Sequence, residues 1–136
     1  MAQEKLKVGV IGTGMIATAG HIPAWKSLAA DVEVVAVADI QEERARLVAR
    51  TEDIPHAYGD WEKMLREVEL DIVSVCTPNA YHKEQAIAAL QAGAHVLCEK
   101  PVATSAADAE AMFEAAEAAG RILMVGQSAR FSNRSR

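Results

Sequence analysis

Six short runs rich in β-branched residues alternate with longer segments of helical period, and this alternation leaves the chain few folds to choose from. The runs lie at residues 7–11 (KVGVI), 33–38 (EVVAVA), His56–Tyr58, 72–76 (IVSVC), 95–98 (HVLC) and 122–125 (ILMV). A strand, a helical crossover and another strand make a βαβ unit, and crossovers of that length join parallel strands. The predicted class is therefore α/β: a doubly wound parallel sheet of six strands in the order 3-2-1-4-5-6.

The helical segments carry their own punctuation. A stretch over 15–30 is interrupted by Pro23, which cannot donate and clashes inside a helix, so a break is expected near His21 and Ile22 with Pro23 opening a second piece. A second helix spans 41–50. Asp60 is placed to cap a third at Trp61–Glu67. A fourth opens at Asn79 or Ala80, turns the Lys83 stem, Ala86, Ile87 and Leu90 to one face, and ends at a left-handed Gly93. The last begins at Ser105 with Asp108 three residues on, buries a stripe of Ala109, Met112, Phe113 and Ala116, and closes at Gly120.

Between the first run and the first helix stands Gly12-Thr13-Gly14-Met15-Ile16-Ala17, a G-x-G-x-x-A loop. Gly12 permits a tight turn, Gly14 lets a pyrophosphate approach the backbone without meeting a Cβ, and Ala17 keeps the helix close to the sheet. Free amides and the helix dipole then face two phosphates, which makes this a dinucleotide-binding, Rossmann-type signature. A purely structural glycine turn is the competing reading. Asp39 ends the second strand, followed by Ile40 and Gln41, where a carboxylate can accept both adenosine ribose hydroxyls. Arginine does not follow directly, and Arg44 stands a turn further on, so the pattern favours NAD over NADP. Asp39 could equally cap the second helix, or do both.

Cys76-Thr77-Pro78-Asn79 closes the fourth strand, where backbone and side chains should border the cofactor; turn and cap chemistry is the alternative for Thr77 and Asn79. His82 follows one turn into the helix, and a lone histidine there is as readily structural as ligand-binding. Glu99-Lys100-Pro101 follows the fifth strand. A lysine beside a nicotinamide can hydrogen-bond a substrate oxygen and stabilise a developing alkoxide, whereas a surface lysine in a proline turn would do neither.

Composition bounds the rest. With 136 residues, 51% apolar and 24% charged, the chain suits one globular domain. Its net charge of −5, with basic residues dispersed until the end, argues against a nucleic-acid partner. No apolar stretch approaches the ~20 residues of a membrane span, and the start shows no signal-peptide pattern, so a cytoplasmic location and no membrane partner are expected. Cys76 and Cys98 lack metal or redox spacing and read as reduced, buried, small hydrophobes, with no metal site expected.

Taken together, VGVIGTGMIA, HIPAW, VADI, YGDWEKML, DIVSVCTPNAYHKEQAIAAL and AGAHVLCEKPVATSAADAEAM resemble the N-terminal domain of the Gfo/Idh/MocA family (glucose–fructose oxidoreductase, inositol dehydrogenase and rhizopine catabolism). The stretch from CTPNAYH to CEKP is far more specific than the glycine loop. The resemblance implies NAD(P)-dependent hydride transfer to or from sugars, cyclitols or polyols. It implies that Lys100 contacts the nicotinamide side and assists the reaction, and that Thr77, Asn79, His82 and Glu99 line the cofactor groove. Gln127 and Arg130 match the exit of the sixth strand.

Family members continue into a C-terminal α/β substrate domain. Residues 1–126 are thus expected to form the dinucleotide-binding domain and 127–136 to start the connection to that second domain. The expectation is a fragment that binds NAD through Gly12, Thr13, Gly14, Met15, Ile16, Asp39, Ile40, Pro78, Lys100, Gln127 and the groove residues, without turnover. Alternatives are a stand-alone nucleotide sensor and one half of a split dehydrogenase. A domain face left uncovered suggests self-association or a mobile end.

Overall fold

The computed structural model describes residues 4–126. Six parallel strands form one sheet in the order β3-β2-β1-β4-β5-β6, as the alternation of runs predicts. They are β1 (Leu6–Ile11), β2 (Val32–Ala38), β3 (His56–Tyr58), β4 (Ile72–Val75), β5 (His95–Glu99) and β6 (Leu123–Gly126). The connections that leave the parallel neighbours β1 and β4 lead to opposite sides, to β2 and to β5, and open between the two carboxyl ends the crevice where doubly wound sheets bind ligands.

The helices are α1 (Ile22–Lys26), α2 (Glu42–Glu52), α3 (Trp61–Glu67), α4 (His82–Gln91) and α5 (Ala106–Ala119). Each side of the sheet carries an apolar layer. Val8, Val10, Val34 and Val37 meet Ile22 and Val48 on one side. Ile11, Val73, Val75, Val96 and Cys98 meet Met64, Leu90 and Met112 on the other. Alternation along each strand sends successive residues to the two layers, which is why the runs are apolar throughout.

Local chemistry sets the ends of the helices. Pro23 falls at the start of α1, after a π-helical turn over Ala17–His21, so the predicted break lies where the missing amide demands it. Asp60 accepts from the Glu62 amide, and Ser105 accepts from the Asp108 amide. At Gly93 (φ +99°) the amides of Gly93 and Ala94 return to the carbonyls of Leu90 and Ala89, a left-handed stop. Asp53 (φ +59°) plays that part at the end of α2 without being glycine.

Two faces differ from expectation. The inward face of α4 is His82, Gln85, Ala86, Ala89 and Leu90, while Lys83 turns outward to pair with Asp108 at 3.3 Å and Ile87 is half-buried. Two polar residues take inward positions because each finds a hydrogen-bond partner there, and this moves the buried stripe round the helix. On α5 Met112 and Ala116 are buried, but Phe113 is exposed and Ala109 is half-buried. Ile122 precedes β6 rather than opening it, and both Ile122 (62% exposed) and Met124 (59%) face away from the layer that holds Leu123.

Candidate functional site

The turn after β1 is held from both sides. The Gly12 amide donates to the Ala38 carbonyl at 2.7 Å, and the Cys76 amide donates to the Ile11 carbonyl at 2.8 Å. Gly12 has φ +96°, and a Cβ there would lie 3.0 Å from the Cys76 carbonyl carbon and oxygen. Only glycine meets both demands. Gly14 is different: a Cβ at this position would meet nothing within 4 Å and would project into open space. The amides of Gly14, Met15 and Ile16 stand in the first turn after the loop, ahead of any carbonyl that could receive them within the helix, and they have no acceptor among the described residues. Met15 and Ile16 are exposed.

Thr13, expected among the cofactor contacts, points inward instead. It is 2% exposed, and its amide and hydroxyl both donate to Asp39 Oδ2 at 2.8 Å. Asp39 Oδ1 accepts from the Gln41 amide at 2.8 Å, and Oδ2 also accepts from Arg44 Nη2 at 3.1 Å. Burial alone would raise the Asp39 carboxyl, but the donors from Gln41, Thr13 and Arg44 outweigh it and hold the group below the ordinary aspartate value. The cap residue of α2 is Gln41, so Asp39 sits two positions further out and braces the entry to the helix through the Gln41 amide.

These elements border a groove of about 520 Å³ at the carboxyl edge of the sheet. Among the expected residues, Gly12, Gly14, Asp39, Ile40, Thr77 and Pro78 line it. Arg44, Trp61, Tyr81, Glu84 and Gln85 line it as well, and sequence patterning did not single them out for the site. Trp61 reaches the groove because β3 lies beside β2 and delivers the start of α3 to its edge. Thr77 is fixed by its hydroxyl, which donates to Gln85 Oε1 at 2.5 Å.

The structure moves His82 out of the groove. It is 1% exposed, with Nδ1 2.9 Å from the Pro101 carbonyl and Nε2 2.6 Å from the Thr77 carbonyl. The ring thus ties the loop after β4 to the loop after β5 from behind. Glu99 does not line the groove either, and its Oε2 is 2.6 Å from His21 Nε2. Lys100 is exposed at the carboxyl end of β5, and Asn79 is half-buried in a 3-10 turn over Asn79–Tyr81; neither lines the groove. Gln127 and Arg130 lie outside the described residues.

Cys76 and Cys98 are free and buried. Burial, with the Glu99 charge nearby, pushes the Cys98 thiol up to about 12 and raises Cys76 further. Neither is a nucleophile near neutral pH. Among the described residues no cluster of three or more metal-ligating side chains occurs, and no helix is long and apolar enough to cross a membrane.

Residues 6–127 match the model of the oxidoreductase family GFO_IDH_MocA, NAD-binding Rossmann fold. The chain belongs to this family. Among curated members, D-glucoside 3-dehydrogenase of Escherichia coli K12 is 36% identical over 132 residues, which is 97% of this chain and 37% of that protein. Among solved structures, the WlbA dehydrogenase of Bordetella pertussis, in complex with NADH and UDP-GlcNAcA, superposes with a TM-score of 0.89 at 30% identity, covering 96% of this chain and 39% of its own. KijD10, a 3-ketoreductase of Actinomadura kijaniata in complex with TDP-benzene and NADP, gives 0.84 at 32% identity, covering 90% and 38%. The chain thus spans little more than a third of the length of these relatives. Within the GFO_IDH_MocA family it is the NAD(P)-binding oxidoreductase domain.

Proposed function

We propose that the groove holds the adenosine half of a nicotinamide dinucleotide, takes NAD in preference to NADP, and serves a dehydrogenase acting on a sugar, cyclitol or polyol. The observation that carries the nucleotide reading is one groove lined by both Gly14, where three successive amides (Gly14, Met15 and Ile16) begin without acceptors, and the buried carboxylate of Asp39. Phosphate oxygens suit the amides, and the space a Cβ at Gly14 would enter is open to receive them. Ribose hydroxyls suit the carboxylate, which a 2′-phosphate would oppose by charge. Thr77, Pro78 and Ile40 form the walls nearest these groups.

When bound, the nicotinamide ring supplies or accepts hydride. The residues of this chain bind and orient the cofactor, and Lys100 donates a hydrogen bond to the substrate oxygen, stabilising negative charge as it develops there. Substrate selection belongs to a second domain, so these 136 residues are expected to bind cofactor without turnover. Two buried free thiols favour a reducing, cytoplasmic setting.

Fluorescence titration of the chain with NADH and NADPH tests the reading. NADH is expected to bind more tightly, and Asp39→Ala to weaken NADH about tenfold while narrowing the preference. Unchanged affinities for both cofactors in that variant would remove the assignment of Asp39.

A further inference from the structure

We propose that His82 is a positioning residue for Lys100: its ring holds the Pro101 carbonyl only while both ring nitrogens carry hydrogen, so a proton sets how the loop after β5 sits against the wall of the groove. The binding part of this inference rests on the nucleotide reading above; the state of the ring does not.

A carbonyl oxygen accepts a hydrogen bond and never donates one. The His82 ring faces two of them, with Nδ1 2.9 Å from the Pro101 oxygen and Nε2 2.6 Å from the Thr77 oxygen, in a residue only 1% exposed. A neutral imidazole has one N–H and one bare lone pair, so it satisfies one carbonyl while the lone pair stands against the other. Only the doubly protonated ring donates to both. The shorter contact, to Thr77, keeps its hydrogen in the neutral ring, and the contact to Pro101 is the one given up.

The two loops differ in what else holds them. The Thr77 hydroxyl also donates to Gln85, so the groove side stays in place. Pro101 has no amide to donate, and among the described residues its carbonyl has no donor besides His82. Lys100 directly precedes Pro101. Loss of the Nδ1 bond therefore loosens the lysine and spares the groove wall.

Burial and the positive end of α4 oppose charge on the ring, and the two carbonyls favour it, so pH decides between the states. Among the described residues no carboxylate pairs with His82. On its own helix Lys83 pairs with Asp108 of α5, and Glu84 is exposed. On β5 Glu99 pairs with His21, and Lys100 beyond it is exposed. On α3 Lys63 pairs with Glu67, and Glu62 and Arg66 are exposed. Tyr81, and Glu110, Glu114 and Glu117 of α5, are exposed as well. The Cys76 and Cys98 thiols are kept protonated by burial.

The test uses the 136-residue chain from about pH 5.5 to about pH 8.5, the range over which histidine changes charge. Nitrogen NMR of the His82 ring should show two N–H groups at the acid end, and one N–H, on Nε2, at the alkaline end. Calorimetry compares NADH with ADP, which carries the adenosine half alone. NADH affinity should fall about fivefold as pH rises, the worth of one hydrogen bond, while ADP affinity stays within about twofold. His82→Gln, which donates without titrating, and Lys100→Ala, which removes the group being positioned, should each flatten the NADH profile; circular dichroism checks that both fold. A ring that keeps one protonation state throughout would overturn the role of the proton. Parallel losses for NADH and ADP, an NADH profile independent of pH, or one that survives Lys100→Ala would overturn the positioning of Lys100. Failure of the unaltered chain to bind either ligand would overturn the nucleotide reading, and the ring nitrogens would still decide whether His82 holds both carbonyls.

Discussion

Nε2 of His21 lies 2.6 Å from Oε2 of Glu99, joining the π-helical turn after the glycine loop to the last residue of β5. Both side chains are largely buried, at 7% and 15% exposure, and the bond spans 78 positions of sequence. It holds the segment that ends in Lys100 against the segment that begins at the glycine turn. Replacing His21 with leucine leaves a carboxylate with little water and no partner, which should cost roughly 3 kcal/mol. Urea denaturation measures this, and a loss below about 0.5 kcal/mol would show that the pair is not holding the two segments together.

Gly12 and Gly14 should separate folding from binding. Alanine at Gly12 must adopt φ +96° and press within 3.0 Å of the Cys76 carbonyl, so a destabilisation of about 2–3 kcal/mol is expected. Alanine at Gly14 meets no protein atom within 4 Å, so stability should hold within about 0.5 kcal/mol while NADH affinity falls at least tenfold. Parallel unfolding and fluorescence titrations decide the point. Equal effects of the two substitutions would mean that Gly14 does not face the phosphates.

Thr13→Val keeps the volume but removes the hydroxyl that donates to Asp39. Since the folded-state pKa of Asp39 is depressed, its contribution to stability is complete above the ordinary aspartate value and is lost as pH falls through the lower folded value. The variant should raise that folded value and lose about 1–2 kcal/mol at neutral pH. The gap between variant and parent should then shrink as Asp39 becomes protonated in both. Urea unfolding between pH 7 and pH 3 tests this, and a gap independent of pH would contradict it.

β6 is an edge strand, and no strand pairs with its outer side among the described residues. Exposed Met124 and Ile122 flank Leu123 there. An unpaired edge with apolar side chains is a template for another copy of the same strand. Sedimentation should show concentration-dependent association that Met124→Lys reduces. A strict monomer at every concentration would rule out pairing along this edge.

Much of this protein was readable from neighbouring residues. Asp60 and Ser105 cap the helices they precede, Gly93 and Gly120 stop the ones they follow, and Pro23 interrupts the first helical stretch, because each acts on backbone groups within a turn of itself. The glycine turn and Asp39 were legible for the same reason: a strand end, a helix start and a fixed offset place them. Arg44 stands a turn beyond Asp39, and no capping pattern ties the two together. Five positions apart on the chain, the two nevertheless meet because the first turn of α2 brings the guanidinium back over the strand end.

Periodicity and local chemistry thus specify six strands, their helical crossovers and the phosphate-facing turn, since hydrophobic alternation and capping act over a few residues. Packing of distant segments is what set the partners of His21 and His82, turned Gln85 inward, and brought Trp61 and Tyr81 to the groove. Contacts of that kind depend on strand order and helix rotation, which place side chains tens of positions apart within hydrogen-bond reach, and no local pattern encodes them.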